Sequence, residues 1–393
     1  MSATGGAEPA GPEESMALEP FSWYRTMRER SPIVQGPGPP AASQAPRRRP
    51  DGWMVFGHED VQRVLSDHEY FSSEYGSFTL LNTDPPRHRQ LRTLVTQAFT
   101  PRAVEALRPR IAEIVDGLLE PVLESGTMDL IQDFAVPLPV TVIAELLGIP
   151  IEDRARFKIW SDAIVTNGPD GLSFSQAHAE MGAYFAGLLE ERRRAPRGDL
   201  MSALLESRID GESLGYADLL SFCVLLLVAG NETTTNLIGN AILCLDEHPE
   251  ADAELRRHPD LLDSAIEEVL RYRSPVQSMF RVTKKDAELG GHMIPAGSGV
   301  QVWIGSANRD PARFPDPDRF DIRRSPNHHL AFGHGIHFCL GAPLARLEAQ
   351  VGLGTLLRQL GPPAVDRRGP LQPLVSNVVY GVRRLPVTFG VRE

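Results

Sequence analysis

The chain has 393 residues, 42% of them hydrophobic, which is enough for a large buried core. Its net charge is −11, from 40 basic and 51 acidic residues, and a nucleic-acid-binding protein is disfavoured because that class is usually basic. The three cysteines cannot all pair, and so few of them do not make a disulfide framework.

The N-terminal segment shows no basic stretch followed by an apolar one, and the longest strongly apolar run, Phe222 to Gly230, is too short to cross a bilayer. We therefore expect a cytoplasmic protein without a membrane anchor. Residues 1–15 are small, acidic and rich in Gly and Pro, and we expect them to form a disordered lead-in. Residues 16–393 show no linker-like change of composition, so we expect them to form one domain.

Most of the chain has helical periodicity, and strands are expected in two places. The short aromatic and β-branched run Trp53 to Phe56 predicts a strand, and His58 to Ser66 predicts a helix. Further helical patterns cover residues 102–123, 150–165, 173–194, 216–245, 261–272 and 342–360. Ser278 to Ile304 alternates between apolar and polar residues and contains turn signals, which predicts short strands and hairpins. The predicted fold class is therefore mainly α, with a small β-rich region.

The pattern from Tyr216 to Leu245 predicts the longest helix, roughly 30 residues and about 45 Å long. Its first half is apolar almost all round, which predicts burial. The run Ala229-Gly230-Asn231-Glu232-Thr233-Thr234 interrupts it, although a buried carboxylate is costly without partners and glycine weakens a helix. The Thr233 hydroxyl can reach the Ala229 carbonyl four residues earlier and open a groove for dioxygen and a water. A helix whose polar half emerges into solvent after Gly230 explains the pattern equally well.

One segment near the C-terminus places a cysteine between glycines, Phe332-Gly333-His334-Gly335-Ile336-His337-Phe338-Cys339-Leu340-Gly341. The glycines let backbone pass close to a flat ligand, and a helix starting near Leu340 would direct its N–H groups at the sulfur and favour the thiolate. Three other interpretations remain open from the residues alone. Cys339 can be a small buried hydrophobe, a zinc ligand together with His334 and His337, or the nucleophile of a hydrolase.

This segment resembles the haem-binding loop of the cytochromes P-450, Phe-Gly-x-Gly-x-His-x-Cys-x-Gly, and matches every fixed position. The run from Ala229 to Thr234 is similar to the Ala-Gly-x-Asp/Glu-Thr motif of that family. The resemblance covers nearly all of the chain from about residue 21 onward. It implies a mainly helical body with haem b (iron protoporphyrin IX) between the long helix and the helix after the cysteine, and Cys339 as the axial ligand of the iron. It also implies that Glu232 and Thr233 form an acid–alcohol pair that relays protons so that the O–O bond breaks heterolytically.

A second pair of residues resembles a structural motif of the same family. Glu268 and Arg271 are three residues apart on one helix, where side chains can meet, although an exposed pair of this kind is common and contributes little. The helix resembles the Glu-x-x-Arg helix of the family. By the same resemblance Arg319, in the segment Pro317-Asp318-Arg319-Phe320, is the second arginine of a network that holds the cysteine loop.

Further haem contacts follow from the resemblance. The segment from Asp84 to Arg92 is similar to the Asp-Pro-Pro-x-His-x-x-x-Arg signature of the family, and a haem needs charge-assisted donors for its two propionates. The implied propionate ligands are His88, Arg92, Arg281 and His337. The other implied cofactor contacts are Ala229, Gly230, Phe332, Gly333 and Gly341.

The resemblance implies a monooxygenase that hydroxylates or epoxidises a lipophilic small molecule, with R–H, O2, two electrons and two protons giving R–OH and water. Candidate wall residues of an apolar pocket, each of which could equally be ordinary core, are Phe78, Leu80, Leu226, Val276 and Val379. The alternatives are a peroxide-driven or non-oxygenating haem-thiolate protein and, from another class, a zinc or cysteine hydrolase.

The chain contains too few cysteines for an iron–sulfur cluster, so the electrons are expected from separate proteins, a ferredoxin and its reductase. From Arg87 to Arg110 there are six arginines and one acidic residue, Glu105. This stretch suits the docking of an acidic ferredoxin, although a solvated arginine face is the plain alternative.

Overall fold

The computed structural model describes residues 18–36, 52–75, 80–96, 99–150, 153, 156, 157, 159, 160, 163, 172–209 and 212–390. The expected lead-in at 1–15 lies outside these residues, and so do Phe78 and most of the helical pattern predicted at 150–165.

The described part is mainly helical, as the sequence predicts. The α-helices are, in chain order, α1 (Phe21–Arg30), α2 (His58–Ser66), α3 (Arg87–Thr96), α4 (Pro101–Glu105), α5 (Arg108–Ser125), α6 (Pro137–Leu147), α7 (Phe174–Arg194), α8 (Leu200–Glu206), α9 (Tyr216–Glu247), α10 (Pro249–Arg257), α11 (Leu262–Tyr272), α12 (Ile304–Ala307) and α13 (Ala342–Gln359). A π-helical turn, Leu130–Ala135, precedes α6. Glycines with positive φ, Gly126 and Gly148, end α5 and α6 as C-caps.

Most strands belong to a small β region beside the helices. They are β1 (Ile33–Gly36), β2 (Gly52–Val55), β3 (Phe71–Ser72), β4 (Thr127–Asp129), β5 (Arg208–Ile209), β6 (Glu212–Ser213), β7 (Ser278–Thr283), β8 (Ala287–Leu289), β9 (His292–Ile294), β10 (Gly299–Trp303), β11 (Pro363–Val365) and β12 (Pro386–Phe389). A five-stranded sheet has the order β1-β2-β10-β7-β3, in which only β2 and β10 pair in parallel. The predicted strands at 53–56 and 278–304 are therefore confirmed.

The helix predicted over residues 102–123 is two helices in the structure, α4 and α5. The break falls at Ala106 and Leu107, directly before Pro109 in the first turn of α5. Proline has no N–H to donate to the carbonyl four residues earlier, and its ring would collide with that carbonyl. Pro109 therefore favours a break one turn earlier, although the apolar stripe continues across it and α5 itself continues through Pro121.

Helix α9 spans the 32 residues from Tyr216 to Glu247 and crosses the helical core. The expected burial of its first half is found only in part. Phe222, Cys223, Val224 and Leu227 are buried, whereas Leu225, Leu226 and Val228 are half-buried and Ala229 is exposed. Residues 231–245 are buried with the single exception of Thr233. The polar half therefore does not emerge into solvent, because it packs against α6, the π-helical turn, α11 and α13.

Two stretches are long and apolar enough to cross a membrane by length and composition alone, Leu130–Leu147 and Tyr216–Glu247. They pack against each other in the helical core. A helix buried on most sides needs the same composition, so packing explains their apolar character.

The segment that leads to the cysteine loop is held by one buried carboxylate, that of Glu268 on α11. Glu268 and Arg271 are completely buried and form two short contacts, 2.7 and 2.8 Å. The other Arg271 donors reach the carbonyls of Asn308, Pro317 and Arg319 at 2.8 to 3.1 Å. The Asn308 side chain in turn accepts from the Leu330 N–H at 2.7 Å, at the start of the loop.

The second arginine of this network is not the one predicted. The Arg319 residue is exposed and contributes its backbone carbonyl, whereas the guanidinium that reaches Glu268, at 3.1 Å, belongs to Arg324. The Arg324 side chain also donates to the carbonyls of Pro315, Asp316 and Arg319. The chain turns between the two arginines, so that the later one points inward, and sequence spacing does not reveal such a turn.

We expect Arg324→Met to lower the free energy of unfolding by about 3 kcal/mol, since it removes a partner from a buried carboxylate. Arg319→Met keeps the carbonyl that the network uses and should change the value by less than about 0.5 kcal/mol. Urea denaturation of both variants measures the difference. Equal losses would show that the inward arginine is not the partner that Glu268 depends on.

Candidate active site

The cysteine loop is shaped by two glycines in the left-handed conformation. Gly333 and Gly335 both have φ of 72°. The Gly333 N–H donates to Leu330 O at 2.8 Å, and the Cys339 N–H donates to Phe332 O at 2.9 Å. These bonds fold the chain back on itself and bring Cys339 to the start of α13.

The tip of the loop is fitted against α2. A Cβ added to Gly335 would lie 2.8 Å from the Ser66 Cα, so only glycine allows this approach. The His334 ring contacts Gln62 Nε2 at 3.1 Å and Ser66 Oγ at 2.7 Å. Both ring nitrogens of His334 are therefore used to fasten the loop.

Two backbone N–H groups and one guanidinium surround the Cys339 sulfur. Helix α13 begins at Ala342, where the predicted helical pattern of residues 342–360 begins, with Gly341 as its N-cap. Burial raises the pKa of the Cys339 thiol, while the N–H groups of Gly341 and Ala342 and the charge of Arg92 favour the thiolate. The predicted helix-end effect is thus present, but burial outweighs it. A bound metal cation would supply the missing stabilisation and deprotonate the thiol.

Four basic side chains, two from α3, one from β7 and one from the loop itself, meet beside the cysteine. They are His88, Arg92, Arg281 and His337. The two imidazole rings lie 4.3 Å apart, and neither Nε2 atom, each buried, has a hydrogen-bond partner among the described residues. Burial, together with the neighbouring positive charges, lowers the pKa of His88 to about 4 and that of His337 to about 3. The nearby Asp84 is occupied by Lys284 and Ser72, at 2.8 and 2.7 Å.

Such a cluster suits a ligand with two negative charges. A dianion would supply acceptors for the unpaired imidazole nitrogens. Its negative charge would also raise the pKa values of His88 and His337 and so favour their protonated forms. Arg92 also donates to Phe338 O at 2.5 Å, which connects α3 with the cysteine loop. The donor set therefore fits the two propionates of a haem whose edge lies beside the loop.

The interrupted turn of α9 has the predicted hydrogen bond. Thr233 Oγ1 donates to Ala229 O at 2.8 Å, and the helix stays continuous through the turn. Glu232 is buried, with 7% of its surface exposed, whereas Thr233 is half-buried. Asn231 is buried on another side, where its amide oxygen is 3.5 Å from Thr235 Oγ1.

Sequence reasoning missed Glu348, which links this helix to α13. Glu348 is 2% exposed and hydrogen-bonds with Thr234, and burial raises its pKa to about 8. A neutral carboxylic acid therefore joins the helix of the acid–alcohol motif to the helix that follows Cys339. A lone acidic residue within the apolar pattern of residues 342–360 was the signal that could have found it.

The candidate pocket residues are partly brought together. Val276 and Val379 pair in an isolated antiparallel bridge. Leu80 lines a small open pocket between α3 and the first half of α9, with Phe222 opposite. Leu226 follows Phe222 by one turn of α9 and is half-buried.

The zinc alternative finds no ligand set in the part of the chain that the structure describes. No three His, Cys, Asp or Glu residues are grouped there as metal ligands. His334 is hydrogen-bonded to α2, and His337 lies beside His88, so neither is grouped with Cys339 as a zinc ligand.

Comparison with known proteins agrees with this site. The family model described as cytochrome P450 matches residues 143–361. The putative cytochrome P450 YjiB of Bacillus subtilis (strain 168) is 42% identical over 392 residues, covering 96% of each chain. The cytochrome P450 monooxygenase PikC of Streptomyces venezuelae is 43% identical and covers 96% of this chain and 92% of the relative. The structure of CYP109E1 from Bacillus megaterium with testosterone has a TM-score of 0.88 and 41% identity, covering 96% of this chain and 100% of that one.

The chain therefore belongs to the cytochrome P450 family, a class of haem proteins. Its activity is that of a P450 monooxygenase, which places one atom of O2 in its substrate.

We expect Gly335→Ala to retain several times less haem after purification, because the added Cβ meets the α2 backbone and the residue needs a positive φ. Gly182→Ala on α7 is the control, since a Cβ there meets nothing within 4 Å. That variant should keep its haem and gain up to about 1 kcal/mol of stability. Haem absorbance per mole of protein is the measurement, and an unchanged value for Gly335→Ala would mean that the α2 contact does not shape the loop.

Proposed function

We propose that this monooxygenase oxidises a lipophilic small molecule with haem b, which the thiolate of Cys339 would hold. The observation that carries the proposal is the sulfur at the start of α13 beside four basic side chains with two unpaired imidazole nitrogens. In this assignment His88, Arg92, Arg281 and His337 would hold the propionates. The other contacts to the haem would come from Ala229, Gly230, Phe332, Gly333 and Gly341.

The haem supplies oxygen activation at its iron, which an anionic sulfur ligand favours by donating electron density. The protein supplies the protons. The Thr233 hydroxyl donates its hydrogen bond to Ala229 O, so the hydroxyl oxygen remains an acceptor that can orient a water. Glu232 is the buried acid that passes a proton to this water and is then reprotonated from solvent. Two protons are consumed in each turnover, and one oxygen atom leaves as water.

An apolar substrate fits against the part of α9 that comes before the acid–alcohol pair. Leu225, Leu226 and Val228 are half-buried there and Ala229 is exposed, which leaves an apolar surface for a ligand to cover. Relatives act on or bind large lipophilic molecules: one is a vitamin D(3) 25-hydroxylase, 45% identical, and one an erythromycin C-12 hydroxylase, 41% identical. We propose a rigid polycyclic or macrocyclic compound of this kind. Titration with testosterone, the ligand of the CYP109E1 structure, is the first trial, and a spin-state shift of the haem supports the class.

Two substitutions separate ligation from proton delivery. Cys339→Ser should lose the strongly red-shifted Soret band of the reduced carbon monoxide complex, because no thiolate remains. Thr233→Ala should keep that band but release more hydrogen peroxide per NADPH, by about tenfold, because the water it orients is lost.

A red-shifted band in Cys339→Ser would exclude this cysteine as the ligand. An unchanged peroxide yield in Thr233→Ala would exclude the relay. Product formation by the unmodified protein with peroxide alone, and none with reductase, would favour the peroxide-driven alternative.

We also propose that the electrons come from a ferredoxin that docks on two arginines near the cysteine loop. Of the six arginines between 87 and 110, Arg92 belongs to the site, and Arg87, Arg108 and Arg110 are paired with acids. Within the described residues Arg89 and Arg102 have no ion pair, and both are exposed. Arg89 shares α3 with Arg92, and α4, which carries Arg102, packs against α13. Such a partner implies a cytoplasmic protein.

The double variant Arg89→Gln/Arg102→Gln should slow reduction by an acidic plant-type ferredoxin by about tenfold at low salt, and much less at high salt. Arg110→Gln is the matched control, since the charge of Arg110 is already balanced by Glu113 and Glu145. Stopped-flow absorbance gives the rates. Equal rates in the double variant and the control would place the docking surface elsewhere.

A further inference from the structure

Helix α9 carries a buried polar stripe of which the mechanism above uses only Glu232. Glu232, Asn236 and Asn240 are four residues apart and therefore lie on one side of the helix. Their exposed fractions are 7%, 1% and 1%. Three polar side chains in successive turns of a core helix are costly unless each finds hydrogen-bond partners.

The stripe faces two loops and ends at the surface. Asn240 Nδ2 donates to Arg273 O at 3.0 Å and to Tyr380 O at 3.4 Å. Arg273 is 4% exposed, and its Nη2 contacts Glu247 at 2.8 Å. The Glu247 side chain is 31% exposed, at the end of α9. Polar groups thus extend from the acid of the relay to solvent along one side of the helix.

Several atoms of this stripe have no protein partner. Asn236 Oδ1 and Nδ2 are buried without a hydrogen bond to any described residue, and the same holds for Arg273 Nε and Nη1. The Asn236 amide is packed against Gly381, since a Cβ added to that glycine would lie 2.1 Å from the amide oxygen. Buried amide and guanidinium groups in native proteins are satisfied by ordered water when protein atoms are lacking, and each such water makes about three hydrogen bonds.

We propose that waters bound by Asn236 and Arg273 form the route by which solvent protons reach Glu232. This inference rests on the proposed relay of Glu232 and Thr233. Each time Glu232 gives up a proton, the adjoining water donates one to it. Each water is then reprotonated by the next one outward, until a proton enters from solvent at Glu247. Two protons enter per turnover, and no residue of the stripe gains or loses one overall. Asn236 and Arg273 act as positioning residues. The positive charge of Arg273 stabilises a water that has given up its proton and has not yet regained one.

Asn236→Leu tests the route with little risk to the fold, since an apolar side chain of similar size replaces an amide without partners. The matched control is Thr235→Val, which alters the next buried polar residue of α9, where the hydroxyl donates to Ala135 O on another side. Asn236→Ser, which leaves room for one more water, is the rescue variant.

We expect all three variants to bind haem normally. With NADPH, a plant-type ferredoxin and its reductase, Asn236→Leu should release about tenfold more hydrogen peroxide per NADPH than the unmodified protein, with a larger solvent deuterium isotope effect. Thr235→Val should match the unmodified protein, and Asn236→Ser should recover most of the difference. This readout needs no organic substrate.

Crystal structures provide the second readout, which does not depend on activity. Waters should lie within hydrogen-bond distance of Asn236 and of Arg273 Nε or Nη1 in the unmodified protein and in Thr235→Val, and those at position 236 should be lost in Asn236→Leu. Absence of these waters, or equal peroxide yields from Asn236→Leu and Thr235→Val, would overturn the route. If Thr233→Ala also leaves the yield unchanged, the relay itself has failed; if it raises the yield while Asn236→Leu does not, only the route has.

Discussion

The arrangement around the cysteine depends on the burial of one carboxylate. Glu268 has no exposed surface, and an ionised group in that position is stable only with several donors around it. Those donors are Arg271, Arg324, Asn327 and the Asp321 N–H. They come from the helix itself and from the stretch that leads to the cysteine loop, so satisfying the charge holds that stretch in one conformation. The loop is then fitted to α2 at Gly335 and to α3 through Arg92.

A second set of charges is arranged in the opposite way. The protein is acidic overall, yet in the described part of the chain His88, Arg92, Arg281 and His337 meet without an acid of their own, since Asp84 is engaged by Lys284 and Ser72. Bringing basic groups together in a buried position is unfavourable for the protein alone, as the low pKa values of the two histidines show. A dianionic cofactor reverses that balance, which couples cofactor binding to the stability of this region.

Helix α9 belongs to both the core and the site. Its second half is packed so completely that the polar residues there need a reason for being buried, and each side of the helix provides a different one. Thr235 bonds the π-helical turn, Thr234 bonds Glu348, and Glu232 begins the stripe that passes Asn236 and Asn240. One helix can serve these different partners because successive residues point in directions about 100° apart.

The sequence by itself determined the family, the mainly helical fold and the elements that carry the motifs, since the spacing around Cys339 and Thr233 is a local property of the chain. The Thr233–Ala229 hydrogen bond was predictable for the same reason. The tertiary structure alone decided which distant side chains meet. It selected Arg324 instead of Arg319, placed Gly335 against Ser66, and buried the half of α9 that looked less apolar. Contacts between residues far apart in the chain depend on how whole elements pack. The periodicity within one element does not indicate which other elements pack against it.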